Sequence, residues 1–206
     1  MQKLVSKKFW NLPQPDVRIT DKQLMEFIKP IQGWGTREDY FDLYRLSLLC
    51  PADSYILELG SHIGKSATVM LLHSQVRRLI LSDLWDGYLG LDTYYECVKN
   101  MVPYEYRIKM VKGDNSLPEI KTNILSHIGA RPYGLLYVDA DHTYESVKRD
   151  IANYVEPLVP LYDVVAFHDY NSDHPQVVHA IEDLIKTGNW KPESYSGRVI
   201  TLRRLA

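Results

Sequence analysis

Two stretches of this chain carry residue types that can do chemistry. The first is Glu58-Leu59-Gly60-Ser61-His62-Ile63-Gly64-Lys65-Ser66, an acid followed by two glycines four apart. A glycine turn opening a helix presents backbone N–H groups and a positive dipole end to a ligand. A phosphate-gripping Walker loop would need glycine where Leu59 stands, and a dinucleotide fingerprint would need glycine at His62 and Lys65. Glu58 would repel a phosphate but suits a ligand carrying an amino group. The second stretch is split into Asp139-Ala140-Asp141-His142 and His168-Asp169. Carboxylates that crowd together repel unless something neutralises them, and a divalent cation does so. Oxygen ligands favour Mg²⁺, Mn²⁺ or Ca²⁺, and a histidine tilts the choice toward Mn²⁺ or Fe²⁺. The plainer alternative is that Asp141 and His142 only cap the helix that follows them.

These residues need a frame. Tyr55, Ile56, Leu57 and Leu59 read as a strand buried on both faces, with a helix after the turn. A second buried strand, residues 78–81, ends in Ser82-Asp83, and an acid at that tip offers two acceptor oxygens to the hydroxyls of a ribose. The loop 84–91, with Trp85, Tyr88 and two glycines, belongs at the rim of a cleft. Residues 107–111 form a third strand ahead of Gly113-Asp114-Asn115-Ser116. Tyr133–Val138 is a fourth, running into Asp139, and 163–167 a fifth, running into His168. Residues 190–195 and 198–203 make a closing hairpin around Ser196-Gly197. Helices are predicted over 20–28, Arg37–Leu49, 92–101, 116–127, 144–155 and Pro175–Lys186, with Thr36 and Thr143 as N-caps. Residues 1–20 read as an irregular arm that packs Phe9 and Trp10 on the domain or on a neighbour. Trp34 either overhangs the cleft or clamps the helix after it. Strands alternating with helices give a mostly parallel sheet covered on both faces.

The string E-L-G-S-H-I-G-K-S resembles the first motif of S-adenosylmethionine-dependent methyltransferases of the Rossmann-like class. It is most similar to the metal-dependent O-methyltransferases, of the catechol type and of the macrocin-like sugar type. I-Q-G-W-G-T-R-E-D-Y resembles the segment ahead of that motif in the same group. The resemblance implies an α/β, three-layer Rossmann-like methyltransferase fold. Its seven-stranded, mostly parallel sheet has the order 3-2-1-4-5-7-6, with one antiparallel strand from the C-terminal hairpin. It also implies S-adenosyl-L-methionine as methyl donor and a divalent cation, Mg²⁺ or Mn²⁺. In that order strands four and five are neighbours, so their tips bring Asp139, Asp141, His142, His168 and Asp169 into one crevice.

The metal ligands carried over are Asp139, His168 and Asp169, with His168 standing where the family usually has a carboxylate. The base falls on Asp141 by the sugar-type pattern and on His142 by the catechol-type pattern, where a lysine is usual. Asp114 takes the place of the acid that meets the adenine amino group. Around the first motif the donor is assigned to Glu58, Gly60, Ser61, His62, Gly64 and Ser66. Farther along it is assigned to Asp83, Trp85, Asp114, Asn115 and Asp139.

The chain has 206 residues, 45% of them hydrophobic and 24% charged, which bounds it to one ordinary globular domain. An N-terminal arm with helices is expected over 1–50 and the core sheet over 51–206. A net charge of −2 gives no broad attraction for nucleic acid. Two cysteines, Cys50 and Cys97, have no metal-type spacing and read as buried thiols of a reducing cytoplasm. No apolar run approaches the ~20 residues that span a bilayer. The expected acceptor is a hydroxyl on a small molecule or sugar, and assembly into a homo-oligomer is left open. Two rival readings stand. Asp139-Ala140-Asp141 is also the D-x-D of metal-dependent glycosyltransferases that use a sugar nucleotide, and the fold also serves non-catalytic donor-binding domains.

Overall fold

The computed structural model describes residues 8–74, 76, 78–128, 133–158 and 164–205. The expected arm over 1–7, the first residue of the fifth strand (Asp163) and Pro160 lie outside the described residues. The central sheet contains β1 (Phe9–Trp10), β2 (Tyr55–Leu59), β3 (Arg78–Asp83), β4 (Ile108–Lys112), β5 (Tyr133–Val138), β6 (Val164–Phe167), β7 (Trp190–Ser196) and β8 (Val199–Arg204). Its order is β1-β7-β8-β6-β5-β2-β3-β4. Leaving out β1, this is the expected order 3-2-1-4-5-7-6. The two-residue β1 is an addition, pairing antiparallel with the edge strand β7 where an irregular arm was expected. β2 pairs in parallel with β3 and β5, and β5 in parallel with β6, while β8 runs antiparallel between β6 and β7.

The period of two along a strand decides which helix each side chain meets. Leu57, Leu59, Leu136, Val138, Val165 and Phe167 belong to a core on one face, shared with α5 (Pro118–Ile128), α6 (Tyr144–Asp150) and α8 (Pro175–Lys186). Ile56, Leu79, Leu135, Tyr137 and Ala166 belong to the opposite core, shared with α1 (Asp21–Ile28), α2 (Arg37–Leu49), α3 (Lys65–Leu71) and α4 (Thr93–Met101). Glu58 alternates with Ile56, Asp139 with Tyr137, and His168 with Ala166. By this parity the functional residues at three strand tips project toward the α2/α3 face.

Capping fixes the helix starts near the site. Thr36 and Asp39 form a reciprocal capping box on α2, as Thr20 and Gln23 do on α1. Several expected boundaries move. In α1, Leu24 and Ile28 are buried and Phe27 is exposed. α4 ends at Met101 as expected, and the chain continues past Pro103 as a 3₁₀ segment, Val102–Arg107, whose first turn has no need of the missing N–H. The helix expected over 144–155 becomes a π-helix at Ile151–Val155 and runs into α7 (Glu156–Leu158). The turn between β7 and β8 holds Gly197 and Arg198, so Arg198 is not a strand residue. Cys50 and Cys97 are buried free thiols. Among the described residues, no helix is long and apolar enough to cross a membrane.

Candidate active site

The turn after β2 is tightly specified. Gly60 has φ +87°, and a Cβ there would lie 2.0 Å from the carbonyl oxygen of Asp139. Only glycine permits this approach. From the other side, the Asp139 N–H donates to the Leu59 carbonyl at 2.8 Å. His62, at φ +45°, donates its N–H to Asp83 Oδ2 at 2.8 Å, and the Trp85 N–H reaches Asp83 Oδ1 at 2.8 Å. The acid at the tip of β3 is therefore held facing the turn.

Three residues assigned to the donor do not line the cleft. Glu58 is completely buried beneath the turn, because its strand parity turns it toward α3, where the Ser66 hydroxyl donates to Oε1. Burial pushes its carboxyl up to about 8, against the pull of the Ser66 and Ser61 hydroxyls. Gly64, at φ +84°, is the left-handed entry to α3 and packs toward Met101 and Cys97. Trp85 is buried under the turn and donates Nε1–H to the His62 carbonyl at 2.5 Å. The other assigned residues, Gly60, Ser61, His62, Ser66, Asp83, Asp114, Asn115 and Asp139, line one cleft of about 850 Å³. Asn115 is anchored there by the Ser82 hydroxyl at 2.5 Å, and Asp114 accepts from the Ser116 N–H at 2.8 Å, which lowers its pKa. Nearby Asp150 is buried on the same cleft wall, and burial pushes its carboxyl up to about 7.

The tips of β5 and β6 form the other half of the cleft. His168 Nδ1 lies 3.1 Å from Asp139 Oδ1 and 3.2 Å from Asp169 Oδ2, yet it makes no in-line hydrogen bond with either. His168 Nε2 is 3.2 Å from Asp39 Oδ2. Burial disfavours the charged ring, but Asp139, Asp169 and Asp39 overwhelm it and push His168 up to about 12. Asp169, at φ +55°, meets His142 Nε2 at 2.8 Å, Arg198 Nη1 at 3.2 Å and His174 Nδ1 at 3.4 Å. Burial opposes its ionisation, but the hydrogen bond from His142 and the nearby His142 and His168 charges hold it well below the usual carboxylate range. His142 is half-exposed, and its bond to Asp169 raises its pKa.

Asp141, one of the two candidate bases, is engaged at the start of α6. Its oxygens accept from the Thr143 N–H and hydroxyl, each at 3.1 Å, and from the Ser146 hydroxyl at 2.7 Å. Burial raises its pKa, but these bonds together outweigh it and lower it, and they tie Asp141 to the start of α6.

Asp39, His174 and Arg198 line the same cleft and were not singled out in the sequence. Thr36-x-x-Asp39 was legible as a helix start, but nothing local pointed Asp39 at His168. Trp34 takes the overhanging role: half-exposed at the cleft rim, its ring lies 4.6 Å from His62 and 5.2 Å from Tyr88.

The donor atoms of Asp139, His168 and Asp169 all lie within 4.8 Å of one another. Two carboxylates and one ring nitrogen without an in-line partner, converging at a cleft wall, fit a divalent cation. His142, Asp169 and His174 form a second such group, sharing Asp169.

A family model described as "Methyltransferase domain" matches residues 57–170. No curated protein matches the sequence. Among solved structures, an O-methyltransferase from Bacillus cereus in complex with SAH is similar at 14% identity and TM-score 0.58, over 92% of this chain and 94% of that one. The SAH-bound Podospora anserina methyltransferase PaMTH1 is similar at 12% identity and TM-score 0.58, over 90% and 88%. TrmK of M. capricolum, with S-adenosyl-homocysteine, is similar at 8% identity and TM-score 0.54, over 80% and 68%. At these identities the likeness is one of fold.

Proposed function

Because the chain belongs to the methyltransferase-domain family, we propose that it transfers the methyl group of S-adenosylmethionine to a hydroxyl of a small-molecule or sugar acceptor, assisted by a divalent cation. The observation that carries this reading is the contact of Gly60 with the Asp139 carbonyl. It joins the glycine turn and the converging acids in one cleft.

The glycine turn fits the donor. His62 Nε2, on the cleft wall, is buried without a hydrogen-bond partner, and the amino-acid end of the donor would give it one. Each Asp83 oxygen is anchored by one N–H and keeps a lone pair for a ribose hydroxyl. Asp114 and Asn115 stand at the adenine end.

In the other half, Asp139, His168 and Asp169 would hold the cation. When bound, it supplies Lewis acidity that lowers the pKa of the acceptor hydroxyl. His142 takes the hydroxyl proton, and Asp169, 2.8 Å from its Nε2, orients the ring for that task. A carbon–oxygen bond forms as the carbon–sulfur bond breaks, releasing S-adenosylhomocysteine. Alignment of the two reactants supplies much of the rate. The net charge of −2 favours a small acceptor over nucleic acid. The glycosyltransferase alternative loses support, because Asp141 spends its oxygens on α6 and leaves no free D-x-D pair.

Isothermal titration with S-adenosylmethionine tests the donor half, with binding expected at micromolar to millimolar ligand. Mass spectrometry then tests for methyl gain on a panel of catechols and sugars with Mn²⁺ present. No donor binding at millimolar concentration ends the proposal. Donor binding without turnover on any acceptor reduces it to a donor-binding domain.

A further inference from the structure

We infer that Asp39 is a positioning residue for the metal-binding histidine: it accepts the Nε2–H of His168 and so commits Nδ1 to the cation. This rests on the cation half of the reading above. A neutral imidazole ligates through one nitrogen and must place its other N–H on an acceptor, which fixes both tautomer and ring plane. Nδ1 faces Asp139 and Asp169 without an in-line bond, whereas Nε2 sits 3.2 Å from Asp39 Oδ2. The backbone contributes by tying the His168 N–H to the Val138 carbonyl at 3.0 Å.

Asp39 is more than its helix needs. In α1 the same capping task is done by Gln23, an exposed neutral residue. In α2 it falls to a carboxylate only 1% exposed. An ionised acid buried that deeply is costly unless donors surround it. Four do. The Thr36 N–H binds Oδ2 at 2.6 Å and the Arg198 N–H binds Oδ1 at 2.6 Å. Arg198 Nε and His168 Nε2 each lie 3.2 Å from Oδ2. The cap accounts for one of the four contacts. The other three are with the histidine and with Arg198, whose Nη1 also reaches Asp169 at 3.2 Å. Asp39 and Arg198 both lie outside the span matched by the family model.

The test is Mn²⁺ titration by calorimetry on the full chain, with S-adenosylmethionine affinity and melting temperature measured on the same samples. Asp39→Asn is expected to weaken Mn²⁺ by roughly 10–100-fold and to change donor affinity less than about twofold. Asp39→Glu, which keeps the charge, should recover part of the loss. Thr36→Ala removes the Thr36 half of the capping box without touching the histidine, and should lower the melting temperature while leaving Mn²⁺ affinity intact. Wild-type Mn²⁺ affinity in a folded Asp39→Asn protein overturns the inference. So does a Thr36→Ala protein whose Mn²⁺ affinity falls as far. If Asp39→Asn does not fold, Asp39→Ser, which has no carboxylate, decides: wild-type Mn²⁺ affinity in that folded protein overturns it too. Failure of the wild type to bind Mn²⁺ overturns this inference and the cation half of the function together, and donor binding remains a separate result.

Discussion

Glu58 and Asp169 are both buried acids at strand tips in one protein, and they are kept in opposite states. Glu58 meets the Ser66 and Ser61 hydroxyls and feels the charges of Asp139 and Asp83, and burial pushes it up to about 8. Asp150, on the cleft wall, is pushed up to about 7. Asp169 and Asp39 are surrounded by His142, His168 and Arg198 and stay ionised. The difference lies in the neighbours and not in depth, since all four are less than a tenth exposed. The donor half thus carries hidden protons, and the acceptor half carries compensated charge. That suits a sulfonium-bearing ligand on one side and a proton-removing centre on the other.

The largest expected effect breaks the comparison at its seam. Gly60→Ala puts a Cβ into the Asp139 carbonyl and strains a left-handed backbone, so the tips of β2 and β5 must part. Donor affinity by titration should fall at least about 100-fold, with a lower melting temperature. Retained affinity would mean that the two halves work without touching.

The glycine turn was readable because its acid, its two glycines and the helix start lie within nine consecutive residues, although Asp83, Trp85 and Asp139 also hold it in place. The strands were readable because their apolar runs are short, separate and bounded by turns. Glu58 was placed by type but not by depth: sequence shows an acid near a glycine, while strand parity decides that it lies under α3. The acceptor half was half-readable. Asp139, His168 and Asp169 end apolar runs and announce themselves, but Asp39 and Arg198 join them across 159 residues of chain. Asp141 stays ambiguous in the sequence because an acid two residues after a candidate ligand and an acid two residues before a helix cap are the same letter in the same place.

A smaller effect sharpens the contrast in protonation. An acid whose folded pKa is raised stabilises fully below its unfolded pKa, near 4, and that advantage is lost as pH rises toward 7. Asp150→Asn should therefore match the wild type in stability near pH 4 and exceed it by about 1–3 kcal/mol at pH 8, by denaturant unfolding. The acceptor-half acids follow the reverse sign. Asp39, with its lowered pKa, contributes stability above pH 4 that fades as pH falls further. Parallel pH profiles for the two variants Asp150→Asn and Asp39→Asn would erase the distinction.

The smallest effect concerns Asp141. If it only caps α6, Asp141→Ala should cost about 1 kcal/mol of stability and leave the methyl-transfer rate within about threefold. A drop of 100-fold or more in single-turnover rate would return the base to Asp141 and remove that task from His142.

The bonds that gather Asp39, His168 and Arg198 close very long loops, and such closures are rewarded only when every partner has arrived. The sheet can nucleate from adjacent β2, β3 and β4 long before that. A half-folded chain would then hold a finished glycine turn beside acids and bases still without their mates. Competence for chemistry is in this way a late event on the folding path, and a ligand that grips the finished centre would slow unfolding more than it speeds folding.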